Sequence, residues 1–208
     1  MKEYHKINSI FKRDQKTGKF ILRDYADPIF EYLKNNQWTF TEKVDGTNVR
    51  VYWDSLNRKV SFGGRTDSAQ MPVFLMERLK AIFPEEKLAT AYPEVSMTLY
   101  GEGYGAKIQK GGGNYKPDGQ DFVLFDVLIG EYWLERENVN DIGNKLGLSV
   151  VPLIGAGTLD DAIAMCEKGF NSTWGSFESE GIVLRPSVEL KTRGGHRIIT
   201  KVKCRDFK

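Results

Sequence analysis

The feature that most constrains this fold is a succession of short strand-like runs, each cut off by a turn. Trp38 to Val44, Asn48 to Trp53 and Lys59 to Phe62 follow one another with only a few residues between them. Asn48-Val49-Arg50-Val51 alternates polar and apolar, as the start of a half-buried strand does. Asp45-Gly46-Thr47-Asn48 reads as the turn joining the first two runs, and Leu56-Asn57-Arg58 as the next turn. Further strands are predicted over Met97 to Glu102, Phe122 to Ile129, Ile182 to Arg185 and Arg197 to Val202. Helices are predicted over Tyr25 to Asn36, Pro72 to Phe83, Leu134 to Leu146 and Asp160 to Lys168. Pro72 takes a first helical position, and Asp160 is a candidate cap. The strands come in hairpin-like runs and do not alternate strictly with helices. That predicts an α+β domain with mostly antiparallel sheets flanked by helices.

Composition narrows the class without choosing a function. The chain has 208 residues, 40% hydrophobic and 28% charged, which suits one large domain or two small ones with a buried core. Its net charge of +2 neither demands nor excludes a nucleic-acid partner, because a local basic face hides easily in a near-neutral total. No apolar run approaches the roughly 18 residues of a membrane helix, so no membrane partner is expected. The start, MKEYHKINSIFKRD, lacks the apolar stretch of a secretory signal. Cys166 and Cys204 form no metal-ligand pattern, which points to a reducing, cytoplasmic setting. His5 and His196 are too isolated to suggest a metal site. Gly101-x-Gly103-x-Gly105 is not the dinucleotide fingerprint, and there is no P-loop. Oligomeric state is not legible.

Three stretches carry candidate chemistry. In Thr41-Glu42-Lys43-Val44-Asp45-Gly46-Thr47-Asn48 a lysine ends a predicted strand and faces a tight turn. A lysine amine is a nucleophile only when neutral, so such a site must disfavour its charge by desolvation or nearby cations. Taken alone, the string also fits a surface lysine beside a turn. In Glu180-Gly181-Ile182-Val183-Leu184-Arg185 an acid precedes an apolar strand, which equally fits a strand-edge glutamate. In Ile198-Ile199-Thr200-Lys201-Val202-Lys203 two lysines at i and i+2 point to one face. Like charges placed so are disfavoured unless an anion or carboxylate lies between them, although edge strands are also protected in this way.

Together, and in this order, the three stretches resemble motifs I, IV and V of the covalent nucleotidyltransferases: ATP-dependent DNA and RNA ligases and mRNA capping enzymes. Further segments match between them. Ser61-Phe62-Gly63-Gly64-Arg65-Thr66 resembles the segment that supplies a substrate-phosphate arginine. Leu99-Tyr100-Gly101-Glu102-Gly103-Tyr104-Gly105 resembles the one whose glutamate binds the adenosine ribose. Phe122-Val123-Leu124-Phe125-Asp126-Val127 resembles motif III, whose aromatic stacks on the purine. The resemblance covers about residues 38 to 208. Glu42-Lys43-x-x-Gly46-Thr47-Asn48 and Lys107-Ile108-Gln109-Lys110-Gly111 look like nick-sealing phage RNA ligases; the first also looks like trypanosomal RNA-editing ligases. DNA ligases and capping enzymes usually place arginine at the position of Asn48. Asp45 departs from the phage enzyme's histidine.

The resemblance implies ligation of 3′-hydroxyl and 5′-phosphate ends in three steps, through lysyl-AMP on Lys43 and an adenylated 5′ end. Lys201 and Lys203 would hold the α-phosphate, and Glu180 and Asp45 would hold Mg²⁺. Glu42, Val44, Asn48, Arg65, Glu102 and Phe125 would serve the ATP nucleotide and substrate phosphate. The implied partner is nucleic acid, RNA ends or a nicked duplex. A small ATP-dependent DNA ligase and a non-catalytic nucleic-acid-binding module are the alternatives. Ligases of this superfamily continue into a smaller C-terminal domain, so residues 1–208 are read as a single adenylation domain without it.

Overall fold

The computed structural model describes residues 1–208. Numbered along the chain, the first elements are β1 (Asn8–Ser9), β2 (Phe11–Arg13), β3 (Phe20–Tyr25), α1 (Pro28–Tyr32) and β4 (Trp38–Glu42). There follow β5 (Thr47–Asp54), β6 (Lys59–Gly63), α2 (Val73–Ile82), α3 (Glu85–Ala91), β7 (Met97–Gly105), α4 (Gly112–Tyr115) and β8 (Gln120–Ile129). The rest are β9 (Tyr132–Trp133), α5 (Arg136–Lys145), β10 (Ser149–Val150), β11 (Leu153–Gly157), α6 (Leu159–Lys168), β12 (Gly181–Pro186), β13 (Thr200–Lys203) and a 3₁₀ turn at Cys204–Phe207. No helix is long and apolar enough to cross a membrane.

These elements form two compact units. A central unit holds Met1–His5 and Asp45–Val151, and a flanking unit holds Lys6–Val44 and Pro152–Lys208. The flanking unit is built on a five-stranded sheet of order β1-β13-β12-β4-β11, antiparallel except for the β1–β13 pair. Along β4 burial alternates, with Trp38, Phe40 and Glu42 buried and Thr39 and Thr41 half-buried. The apolar members pack with Ile182, Leu184 and Val202 of the neighbouring strands and with Leu159, Ala162 and Cys166 of α6. Each such aliphatic or aromatic side chain contributes about 1.5–3 kcal/mol when fully buried. Trp38 is wholly buried, and its indole N–H donates to the Leu33 carbonyl at 3.0 Å, so no polar group is stranded with it.

The central unit is built on a six-stranded sheet, β10-β8-β7-β5-β6 with β9 beside β8. Its core gathers Val49, Val51 and Trp53 with Leu99, Leu124 and Val127, covered by Leu75 and Leu79 of α2 and Val139 and Ile142 of α5. The β5–β6 hairpin closes through Leu56-Asn57-Arg58 as the sequence predicts, with Arg58 in the left-handed region at φ 52°.

Several local expectations are corrected. Asp45 to Asn48 does not make a hairpin. Both edges of β4 are taken, by β11 and β12, so the chain leaves this sheet and enters the other as β5. The helix expected over Tyr25 to Asn36 shrinks to Pro28–Tyr32, because Tyr25 belongs to β3 and Asp27 caps the start. In α6 the cap is Thr158, not Asp160: its hydroxyl accepts from the Asp161 N–H, and the Asp161 carboxylate accepts from the Thr158 N–H, a capping box. The last strand starts at Thr200 rather than Arg197, which bridges back to Lys191.

Candidate active site

The register of the flanking sheet assembles the charged cluster. The Lys43 N–H donates to the Gly181 carbonyl at 2.9 Å, and Gly181 pairs with Lys203. Lys43, the residue before Gly181, and Lys203 therefore meet in one row across three adjacent strand ends. Since Glu42 lies on the core face of β4, Lys43 falls on the opposite face. Thr200 and Val202 are buried, so Lys201 and Lys203 occupy that opposite face too. Glu180 bridges the row, its Oε2 2.6 Å from Lys43 Nζ and its Oε1 2.7 Å from Lys203 Nζ. The three side chains are only 10–19% exposed, so the ion pairs are weakly screened. Burial alone would raise the Glu180 carboxyl. The charges and hydrogen bonds of Lys43 and Lys203 outweigh it and hold the group below its ordinary value.

Glu42 is only 1% exposed. Its Oε2 accepts from the Thr173 N–H at 2.9 Å and the Thr173 hydroxyl at 2.7 Å, while its Oε1 has no partner. Thr173 lies in the loop before β12 and escaped the sequence reading; nothing in its local pattern marks it. Val44 is buried, and its carbonyl accepts from Lys43 Nζ at 3.5 Å.

In the central unit Asn48 and Glu102 are direct cross-strand partners on β5 and β7. The Asn48 Oδ1 is buried without a hydrogen-bond partner. Gly46 has to be glycine: a Cβ there would come within 2.7 Å of Glu102 Cγ and closer still to the Gly103 carbonyl. Asp45 Oδ2 accepts from the Gly111 N–H at 3.0 Å. Phe125 is the extra residue of a β-bulge, since Tyr100 pairs with Asp126 and Gly101 with Leu124. A bulge re-aims the side chain it carries. Phe125 ends half-buried, edge-on to Tyr4 at 5.1 Å between centroids. Tyr4, also missed from sequence, donates its hydroxyl to Asp126 Oδ2 at 2.8 Å across 122 residues of chain.

Arg65 is exposed beside Gly64. That loop is held by Arg50, a wholly buried side chain on β5. Its Nε donates to the Gly64 carbonyl at 2.6 Å, one terminal nitrogen to the Met1 carbonyl at 3.1 Å and the other to Asp67 at 2.8 Å.

The comparisons place this arrangement in a family. The RNA ligase family profile matches residues 36–203, and the chain belongs to that family. Solved structures of a Naegleria gruberi RNA ligase share the fold. A mutant with ATP and Mn aligns with a TM-score of 0.67 at 19% identity, over 97% of this chain and 60% of that one. An apo mutant aligns at 0.65 and 21% identity, over 85% and 51%. The form with PPi aligns at 0.64 and 21% identity, over 98% and 62%. The chain thus spans about half to three-fifths of the length of these structures. No curated protein sequence matches it.

Proposed function

We propose that this chain is the adenylyltransferase domain of an ATP-dependent RNA ligase, the two units together making that one domain. The observation that carries the reading is the row Lys43–Glu180–Lys203 with Lys201 on the same face. It joins a candidate nucleophile, a carboxylate and two cations suited to an α-phosphate. Family membership supports it. In the resting geometry Lys43 is an ammonium paired to a carboxylate. Attack requires that pair to part and the amine to lose its proton. The Lys43 Nζ then forms a bond to the α-phosphorus as the bond to the pyrophosphate oxygen breaks. Lys201 and Lys203 offset the charge developing on the phosphate oxygens. AMP next passes to a 5′-phosphate, and a 3′-hydroxyl attacks that phosphate and releases AMP.

One buried acceptor, Asn48 Oδ1, lacks a donor, and the amine and hydroxyls of a nucleotide supply donors. We assign Glu42, Val44, Asn48, Glu102 and Phe125 to the nucleotide and Arg65 to the substrate phosphate, as the resemblance implies. Mg²⁺ is commonly held by one or two carboxylates with waters and substrate phosphates. Glu180 and Asp45 supply the oxygen chemistry such an ion prefers, and the ion would neutralise phosphate charge. The two thiols, both buried and unbridged, fit the proposed reducing, cytoplasmic setting.

The test is incubation with labelled ATP and Mg²⁺ followed by peptide mapping. One AMP on Lys43, absent from Lys43→Ala, is the expected result; AMP on another lysine overturns the assignment. Matched nicks with RNA or DNA on the 3′-hydroxyl side then separate an RNA ligase from a DNA ligase.

A further inference from the structure

Phe125 is the extra residue of a β-bulge, so it has no partner on β7 to fix where its ring points. We propose that Tyr4 is the positioning residue for Phe125, setting the plane of its ring so that one face is held ready for a purine. The proposal rests on the reading of Phe125 as the nucleotide-stacking aromatic and deepens it. Tyr4 lies outside residues 36–203, the stretch that the family profile matches.

Tyr4 holds the bulge by its ring and by its hydroxyl. The ring meets Phe125 with centroids 5.1 Å apart and planes at 70°. A near-perpendicular neighbour covers at most one face of Phe125 and leaves the other clear of it. The hydroxyl donates at 2.8 Å to Oδ2 of Asp126, the next residue along the chain. Asp126 is wholly buried and pairs across the sheet with Tyr100, so this bond fixes the point where regular pairing resumes after the bulge. Phe125 itself stays half-buried.

Tyr4 is itself fixed from several sides. It is buried, stacks on His5 at 4.6 Å, and meets Tyr100 at 5.1 Å and Trp133 at 5.5 Å between centroids. The backbone before it is tied down as well. The Met1 carbonyl accepts from Arg50 at 3.1 Å, and the Lys2 carbonyl accepts from the Tyr100 hydroxyl at 2.8 Å. Met1–His5 thus forms a strap across the central sheet, although the chain runs through the flanking unit from Lys6 to Val44 before it returns at Asp45. A ring already held in its bound orientation gives up little rotamer freedom when a base arrives. An aromatic pair of this geometry is worth a factor of about two to ten in an equilibrium.

The experiment follows AMP adduct formation on the full chain in a single turnover across an ATP series with Mg²⁺, for Tyr4→Leu, Phe125→Leu and the double variant. Tyr4→Leu is expected to raise the half-saturating ATP concentration about fivefold and to keep the limiting rate within about twofold, because the stack binds the base and takes no part in the bond to phosphorus. Phe125→Leu should raise half-saturation about tenfold, and the double variant no further, since the two rings act as one unit. If Tyr4→Leu does not fold, Tyr4→Phe decides: it keeps the ring, loses the bond to Asp126, and should raise half-saturation about twofold. A Tyr4 variant with native half-saturation beside a raised Phe125→Leu overturns the proposal and leaves the role of Phe125 standing. So does a Tyr4→Leu defect confined to the limiting rate or to the urea midpoint, or one that multiplies with that of Phe125→Leu. Native half-saturation in Phe125→Leu, with Lys43 still labelled, removes Phe125 from the nucleotide and overturns the proposal with it.

Discussion

The two units handle polar groups in opposite ways. In the flanking unit one cluster of ionisable side chains compensates itself: Glu180 sits between Lys43 and Lys203 with both carboxylate oxygens engaged. In the central unit one candidate nucleotide-binding group, Asn48, is neutral, and its buried Oδ1 has no donor. One of that unit's wholly buried ionisable side chains, Arg50, is spent on holding a loop. The contrast follows from desolvation. A buried charge costs several kcal/mol in desolvation, which an opposite charge or hydrogen bonds must offset. A neutral acceptor left open costs about 1–3 kcal/mol, a sum that a ligand can return on binding. Groups for chemistry are therefore stored paired, and groups for recognition are stored open.

The largest expected effect is on the paired side. Lys43→Arg should leave the ion pair with Glu180 in place yet abolish the AMP adduct, because a guanidinium stays protonated. Any measurable adduct in the mass spectrum of that variant would show that Lys43 is not the nucleophile. Glu180→Gln should lose most adduct and cost about 1–3 kcal/mol, since Lys43 and Lys203 are left half-buried without their anion.

The same variant gives a pH test. The folded Glu180 carboxyl titrates below its ordinary value of 4.5. Its stabilisation is therefore fully present above about pH 5 and is lost as pH falls through the lower folded value. Urea midpoints of native protein and Glu180→Gln should differ by a constant amount near neutrality and converge in acid. A gap that persists to pH 2 would sink the account.

On the central side, Arg50→Met should cost about 2–3 kcal/mol by stranding the Gly64 and Met1 carbonyls, read as a lower urea midpoint. If the Arg50 contacts position Arg65, nick sealing should fall further than adduct formation. The smallest change in stability is expected for Arg65→Ala, within about 0.5 kcal/mol for an exposed side chain. Its effect should appear as slower end joining with adduct formation nearly kept; equal loss of both would remove Arg65 from the substrate phosphate.

What was legible in the sequence follows from range. Lys201 and Lys203 could be put on one face because strand periodicity is local, and the order of motifs located Lys43 and Glu180 before any geometry was known. The α+β class, with its mostly antiparallel sheets, was also readable from the hairpin-like runs. Arg50 was visible only as a polar residue alternating along a strand. Its burial depends on carbonyls at Gly64 and Met1, which no local pattern announces. Tyr4 and Thr173 were invisible for the same reason, each defined by a partner more than 100 residues away. The turn at Asp45 to Asn48 was misjudged because a tight turn signals a change of direction, not which strand will be the next neighbour. The two-residue β1 and β10 exist only by parallel pairing with β13 and β8, which propensity cannot foresee.

The β1–β13 pairing also sets an order of events during synthesis. Asn8 and Ser9 are made 192 residues before their partners, Thr200 and Lys201. Translation at about 5–20 residues per second leaves the early strand waiting some 10 seconds or more. Meanwhile Asp45–Val151 emerges as a continuous stretch with all six strands of its sheet, so that sheet can close first. The flanking sheet cannot be completed until β12 and β13 have left the ribosome. The cluster containing Lys43 therefore forms after the central sheet, and a chain halted before Glu180 carries its candidate nucleophile without either of its charged neighbours, Glu180 and Lys203.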